Sequence, residues 1–198
     1  MDAKPPNYNG GLLSDIIFAV RPVLDYYHGP WIAGGAARKF LTGDQLGHSD
    51  IDIFVRDQEQ FTKVVEFLGV HPRFTKVRMA RNGTHTWSCE PNVIIQIIGP
   101  SFFARDLSSL FLSFDYTVCQ FATDGRWVYH TPEAYNDLTT KSLKLIAGGR
   151  ASLAPHKRLM KYTAAGFTPE PWLVSHSMKF EDKKRVSDDC TIDSADLY

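Results

Sequence analysis

Two aspartates, Asp50 and Asp52, lie two positions apart in the segment SDIDIFV. Side chains at i and i+2 of a β-strand project from the same face, so the two carboxylates are expected to lie side by side. Their mutual repulsion must be relieved by a cation, a shared proton or solvent. Mg²⁺ suits such a pair, because it takes hard oxygen ligands and keeps positions for phosphate oxygens. The pair therefore predicts phosphoryl chemistry at a Mg²⁺ site that can hold two ions, with Mn²⁺ as a substitute.

A second chemical feature is the Gly34-Gly35 pair, which follows the short apolar run 31–33. Residues without side chains let the backbone approach a ligand closely, and amides at a helix start attract phosphate. Arg38 lies one turn into a helix predicted over 36–41 and can donate to the same phosphate. Each motif alone is usually a turn or a solvated strand edge, but their combination is more specific. Apolar flanks exclude an EF-hand, and the lack of G-x-G-x-x-G excludes a Rossmann dinucleotide site.

The elements that position these residues read as a mixed α/β pattern. Helical periodicity predicts further helices over 11–28, 58–68, 103–112, 132–139 and 155–165. Alternating or wholly apolar runs predict five to seven strands, at 31–33, 51–55, 73–79, 85–89, 93–98, 116–122 and 127–130. Pro22 predicts a kink in the first helix, and Asn82-Gly83 and Asp124-Gly125 predict hairpin turns.

The composition is that of a packed globular protein, with 43% hydrophobic and 22% charged residues. We predict one main domain over 1–150, a helical appendage over 151–175 and a polar, flexible tail over 176–198. Lys+Arg and Asp+Glu both number 22, so a nucleic-acid partner would need a local basic patch. The sequence shows no signal-peptide layout, no apolar run near the roughly 20 residues of a membrane span, and no disulfide pattern. We therefore expect a cytoplasmic protein without a membrane partner.

The two motifs together resemble the polymerase-beta-type nucleotidyltransferase superfamily, in particular the head domain of bacterial poly(A) polymerases and tRNA CCA-adding enzymes. In that family a Gly-Gly helix with a following Arg precedes a D-x-D strand, and the matching residues here are Gly34, Gly35, Arg38, Asp50 and Asp52. The resemblance implies an α+β fold: a mixed β-sheet head domain with flanking helices and a short C-terminal helical segment.

A second stretch, residues 111–146, resembles the family segment that reads R-R-D-F-T-I-N-A and continues into a strand hairpin and a D-L helix. Here the triplet 115–117 falls on D-F-T and the pair 137–138 falls on D-L. The two matches together span about residues 30–146, which is most of the predicted fold.

The resemblance implies a role for each matched residue. Asp50 and Asp52 would bind Mg²⁺, and the Gly34-Gly35 backbone would hold the triphosphate of an NTP. The further nucleotide-binding candidates are Arg38 near the phosphates or sugar, Ser49 beside the acids, Asp115 in the nucleotide pocket, and Arg158 and Lys161 on a downstream helix. For Arg158 and Lys161 a solvated helix face is the alternative, and His48 reads as a loop histidine.

Three departures separate the chain from the family pattern. Gln96 stands where a third carboxylate is expected, and an amide can coordinate a metal but cannot act as a base. Ser113 and Phe114 replace the paired arginines of the second motif. The chain also ends before the helical regions with which the family grips tRNA, so CCA addition is not expected.

The leading hypothesis is a Mg²⁺-dependent enzyme that moves a nucleoside monophosphate from an NTP to a hydroxyl of RNA, a small molecule or a protein and releases pyrophosphate. Gln96 and the missing arginine pair motivate a second hypothesis, a catalytically weakened nucleotide- or RNA-binding module. A third is an interaction protein that keeps only the scaffold.

Overall fold

A computed structural model describes residues 1–8, 11–47, 50–89, 92–146 and 155–174, without the side chains of 155 and 156. The strands in these ranges are β1 (Asp2–Lys4), β2 (Trp31–Ala33), β3 (Ile51–Phe54), β4 (Phe74–Met79), β5 (His85–Cys89), β6 (Val93–Ile97), β7 (Phe121–Thr123), β8 (Val128–His130), β9 (Ser142–Leu143) and β10 (Thr168–Pro169). The α-helices are α1 (Leu12–Val20), α2 (Gly35–Thr42), α3 (Gln58–Val70), α4 (Leu107–Leu112), α5 (Pro132–Thr140) and α6 (Pro155–Ala164). Short 3₁₀ helices lie at Arg21–Val23, Pro100–Phe102 and Thr117–Cys119.

Eight strands form one mixed sheet in the order β1-β8-β7-β2-β3-β6-β5-β4. β3 and β6 are parallel, and the other neighbouring pairs are antiparallel. The parallel pair is the crossover made through α3, β4 and β5, and it brings β3 and β6 together in the interior of the sheet. The predicted α+β fold with a mixed sheet is confirmed.

The two faces of the sheet are covered differently. α1, α2 and α3 pack their apolar side chains, including Ile16, Phe40 and Val64, against isoleucines of the sheet in the main core. On the other face α4 packs Leu110 and Phe111 against β2, β3, β7 and β8 in a smaller cluster. The side chains of Ala33 and Phe54 belong to that smaller cluster, so residues of the same strand parity face the α4 side.

Helix ends account for two differences from the sequence prediction. The predicted helix 11–28 ends at Val20 and continues as a 3₁₀ turn, because Pro22 lacks an amide hydrogen and its ring clashes with the preceding turn. The predicted helix 103–112 begins only at Leu107, since the Asp106 carboxylate and the Ser109 side chain form a capping box there.

Short strands account for the remaining differences. The predicted strand 116–122 is a 3₁₀ turn followed by β7, because Tyr116 forms only an isolated bridge with Leu145. The count of five to seven strands is too low, since it leaves out β1, β9 and β10, each two or three residues long. Such segments show no periodicity and are defined only by their partners, for example β8 for β1.

The segment 155–174 packs against the rest of the described chain. Leu159, Tyr162, Phe167 and Leu173 are buried members of the main core, and β10 pairs with β9. The division at residue 150 remains a prediction, and the predicted tail 176–198 lies outside the described residues. In the described ranges, no helix combines the length and the apolar character that a membrane crossing requires.

Candidate active site

The sheet register places two of the predicted metal ligands next to each other. Asp52 on β3 pairs with Ala33 on β2 and with Gln96 on β6, so the Asp52 and Gln96 side chains share one face. Asp50 directly precedes β3, and its carboxylate oxygen Oδ2 accepts a hydrogen bond of 3.2 Å from Gln96 Nε2. The structure thus brings Asp50, Asp52 and Gln96 together, although Gln96 lies 44 positions after Asp52 in the sequence.

Two oxygen atoms in this group are left without a partner. Asp52 Oδ1 and Gln96 Oε1 are both buried and accept no hydrogen bond from the described residues. A buried polar atom without a partner costs about 1–3 kcal/mol, and native proteins leave few of them. Both atoms are oxygens with free lone pairs, so an electropositive group would satisfy them together.

The protonation of Asp52 reflects its surroundings. Burial of the carboxyl, and then the negative charge of Asp50, raise the pKa of Asp52 to about 7. As a whole residue Asp52 is half-buried, but its carboxylate oxygen Oδ1 is buried. The carboxyl group is therefore shielded from water. Burial raises the pKa of Asp50 as well. Both shifts mean that burial favours the protonated, neutral form of these carboxyls.

The positive charge of Lys161 acts on both carboxylates and lowers both pKa values against this trend. Lys161 is an exposed residue of α6, and its charge also contributes to a lowered pKa of Lys39 on α2, although burial is the larger cause. Lys39 Nζ donates to the carbonyl of Leu46 at 2.5 Å. Among the predicted nucleotide contacts that the structure describes, Lys161 is an exposed residue whose charge acts on both acids.

The glycine turn begins directly after Ala33, the residue that pairs with Asp52. Gly34 has φ 75° and ψ −134°, a combination that side-chain-bearing residues avoid, and it caps α2 without a side-chain hydrogen bond. A Cβ atom added at Gly34 or at Gly35 would meet no protein atom within 4 Å. The space beside this turn is therefore open to a ligand, at the start of a helix whose first amides attract anions.

The Arg38 side chain contacts other residues of the chain. Its Nη1 donates to the carbonyl of Val118 at 2.7 Å, and its guanidinium lies over the rings of Tyr162 and Phe167 at 5.5 and 5.4 Å. These contacts connect α2 to α6, to Phe167 after it and to the 3₁₀ helix that contains Val118. The contact between Arg38 and a phosphate remains a prediction.

Asp115 and Arg158 are paired with each other. Arg158 Nε and Nη2 donate to the two Asp115 oxygens at 2.5 and 2.9 Å, and the Tyr116 amide also donates to Oδ1 at 2.9 Å. Cys119 Sγ lies 2.9 Å from Tyr162 Oη and 3.5 Å from Arg158 Nη2. Burial raises the pKa of the Cys119 thiol. This cluster joins α6 to the segment 115–119 before β7. Direct nucleotide contacts by Asp115 and Arg158 remain predictions.

Ser49 and His48 lie outside the described residues. Arg78 on β4, whose charge lowers the pKa of Asp50, was not among the candidates from sequence. In the described ranges no group of three or more His, Cys, Asp and Glu side chains could hold a metal, which agrees with an amide at the third position.

The fold is nucleotidyltransferase-like. The chain is similar to the Thermotoga maritima CCA-adding enzyme complexed with tRNA, at a TM-score of 0.63 and 16% identity over 93% of this chain and 48% of that one. It is also similar to a CCA-adding enzyme in complex with ATP, at a TM-score of 0.62 and 15% identity over 86% and 43% of the two chains. The likeness establishes a divergent nucleotidyltransferase-like fold, and this chain spans about half the length of those enzymes.

The sequence also matches a family model. Residues 12–141, well over half of the chain, match the model of Gad2, described as Gabija anti-defense 2 family protein. The chain belongs to this family. A search of curated proteins finds no match. The matched range includes Gly34, Asp50, Asp52 and Gln96 and ends before α6.

Proposed function

We propose that this chain is a Mg²⁺-dependent nucleotidyltransferase that serves in Gabija anti-defense. It would transfer a nucleoside monophosphate from an NTP to a hydroxyl of RNA, a small molecule or a protein. The observation that carries the proposal is the pair of buried, unpartnered oxygens, Asp52 Oδ1 and Gln96 Oε1, beside the open glycine turn. The family description and the nucleotidyltransferase-like fold agree with it.

The donor set fits Mg²⁺ or Mn²⁺, because all the candidate atoms are oxygens of carboxylates or of an amide. Asp50, Asp52 and Gln96 would hold the ion, and a second ion would share the two carboxylates. A bound ion would neutralise the triphosphate and the developing pyrophosphate. Metal binding requires the anionic carboxylates, so a bound ion would have to displace the proton that the raised pKa of Asp52 favours near pH 7.

The other residues would bind and orient the nucleotide. The backbone at Gly34-Gly35 would receive the phosphates, and Lys161 would add a positive charge beside them. The hydroxyl oxygen of the acceptor forms a bond to the α-phosphorus, the bond from that phosphorus to the bridging oxygen breaks, and pyrophosphate leaves. Because the Gln96 amide cannot take up the hydroxyl proton, that proton would pass to a carboxylate of the acid pair or to water.

The test is transfer of α-labelled NTPs by the purified chain with Mg²⁺, using RNA and cell extract as acceptors. We expect Asp50→Ala and Asp52→Ala to reduce transfer by about a thousandfold, since metal ions supply several kcal/mol to such transition states. Asp15→Ala is the matched control, because Asp15 is exposed on α1, which packs on the opposite face of the sheet. The same variants are to be compared for relief of Gabija defence in cells. Full transfer by both acid variants would refute the assignment.

Gln96 favours one alternative, a module that binds nucleotide or RNA without turnover. That alternative predicts NTP binding by calorimetry with no pyrophosphate release for any acceptor. Gln96→Asp, which restores a third carboxylate, would then gain transfer activity. Absence of NTP binding with Mg²⁺ would point instead to an interaction protein that acts in anti-defense through its surface.

A further inference from the structure

The edge strand β4 and the turns before and after it carry a series of exposed, positively charged side chains, which we name the basic edge. Its members are Arg73, Lys76, Arg78 and Arg81. All four are exposed, and none of their side chains forms an ion pair within the described residues. No acidic residue occurs between Glu66 and Glu90, in a chain whose total charge is zero. The positive charge is therefore concentrated at one edge of the sheet.

A β-bulge decides which side chain of β4 faces the acids. Lys76 pairs with Trp87 and Arg78 pairs with Thr86, so Val77 is the extra residue between them. Without the bulge, Val77 would stand opposite Thr86 and Arg78 would point to the other face. Bulges often re-aim a side chain next to a functional site, and here the re-aimed side chain is a guanidinium.

Arg78 consequently stands in one cross-strand row with the candidate metal ligands. Thr86 pairs with Gln96, and Gln96 pairs with Asp52, so the row runs from β4 through β5 and β6 to β3. Three inter-strand steps of about 4.8 Å place the Arg78 backbone roughly 15 Å from that of Asp52.

We propose that the basic edge binds the phosphodiester backbone of a single-stranded nucleic acid. The further step, in which that strand presents its terminal hydroxyl at Asp50 and Asp52, rests on the proposed function. Charge complementarity selects the ligand, since exposed cations without acidic neighbours along one sheet edge attract the phosphates of a polymer. Arg78 reaches that edge from the face of the acids, and Lys76, which pairs with Trp87, reaches it from the opposite face. From Arg73 to Arg78 the strand extends about 16 Å, which is too long for one phosphate group and suits a polymer.

Basic residues on an edge strand also have a simpler use, because they prevent pairing with the edge of another sheet. Substitution by glutamate separates the two roles. A glutamate keeps the edge charged and so preserves its protection, but it repels phosphate. All four positions are exposed, so the fold should tolerate the change.

The experiment measures the anisotropy of fluorescein-labelled 20-nucleotide RNA and DNA strands titrated with the full chain at several salt concentrations. Four phosphate contacts predict that log K falls with log salt at a slope of about −3, because each contact on a single strand contributes about −0.7. At 0.1 M salt, Arg78→Ala should weaken binding by about fivefold by the same relation, and Arg78→Glu by more. Arg126→Glu is the matched control, because Arg126 is an exposed arginine in the β7–β8 turn, toward the other end of the sheet.

Binding of either strand, RNA or DNA, with these losses supports the proposal. No binding, or equal losses in Arg78→Glu and Arg126→Glu, would overturn it. Displacement of the oligonucleotide by poly-glutamate at equal charge concentration would assign the edge to an acidic protein and overturn it too. Calorimetric titration with Mg²⁺ and NTP in the same buffer tests the proposed function separately, since nucleotide binding without oligonucleotide binding removes the basic edge alone, and the reverse result removes the active site alone.

Discussion

The carboxylates of Asp115 and Asp52 are both buried, and their surroundings are opposite in kind. At Asp115 every carboxylate oxygen has a partner, supplied by Arg158 and by the Tyr116 amide. At Asp52 one oxygen has none, and the neighbouring charge is that of another acid. A paired buried acid can connect two elements, whereas an unpaired one costs stability and is a candidate for a functional site. We call the buried Asp115–Arg158 pair the joint. Its geometry distinguishes it from the candidate active site around Asp52.

The largest expected effect on stability is at the joint. Arg158→Ala leaves the Asp115 carboxylate buried without its partner, and we expect the free energy of unfolding to fall by about 2–4 kcal/mol. Urea denaturation measures this, and loss of α6 docking should also appear as faster amide exchange in 155–174. Arg105→Ala is the matched control, because Arg105 and Asp106 form an exposed pair at 3.5 Å. Equal stability of the two variants would remove the distinction drawn above.

The second prediction concerns Asp52, where a substitution should raise the free energy of unfolding instead of lowering it. The pKa of Asp52 is about 7 in the folded protein and 3.8 for an ordinary aspartate, so the folded state holds a proton that the unfolded state releases between those values. The free energy of unfolding must then fall as pH rises from about 4 to 7, and this loss is complete above pH 7. Asp52→Asn removes the dependence and should stabilise the metal-free protein by roughly 1–3 kcal/mol at pH 8, with little change at pH 4.

Urea denaturation of both proteins in EDTA at the two pH values checks this prediction. Added Mg²⁺ should stabilise the wild type at pH 8 and should have much less effect on Asp52→Asn, because metal ligation needs the carboxylate. Parallel stability of wild type and variant across the pH range would mean that the Asp52 carboxyl is solvated, and the contrast with Asp115 would be lost.

The two regions also differ in what the sequence could reveal. The shared face of Asp50 and Asp52 follows from the period of a strand, and the apolar run that contains Gln96 predicts an interior strand, so the main elements of the acid site could be predicted. The Asp115–Arg158 pairing could not be predicted, because the two residues are 43 positions apart and their contact depends on how α6 docks. Arg38 was predicted at the phosphates, but nothing in the sequence indicates its bond to Val118.

The position of Arg78 could not be predicted from the sequence for a different reason. Strict alternation along 73–79 places Val77, not Arg78, opposite Thr86, and only the bulge reverses this. Bulges depend on the pairing of two strands and leave no consistent signal in a single sequence. The short strands β1, β9 and β10 were missed for a related reason, since each exists through its partner.

The smallest expected effect sharpens the comparison, because it shows that distance alone does not make an ion pair stabilising. Lys63 Nζ lies 2.6 Å from Glu59 Oε1, almost as close as the Arg158–Asp115 contact at 2.5 Å. The Lys63 and Glu59 side chains are 66% and 76% exposed, whereas that of Asp115 is 7% exposed. Water and salt screen the exposed pair, and ordering two long side chains offsets its attraction. Lys63→Ala should therefore leave the urea midpoint unchanged within error, and a loss as large as that of Arg158→Ala would show that burial is not what distinguishes the joint.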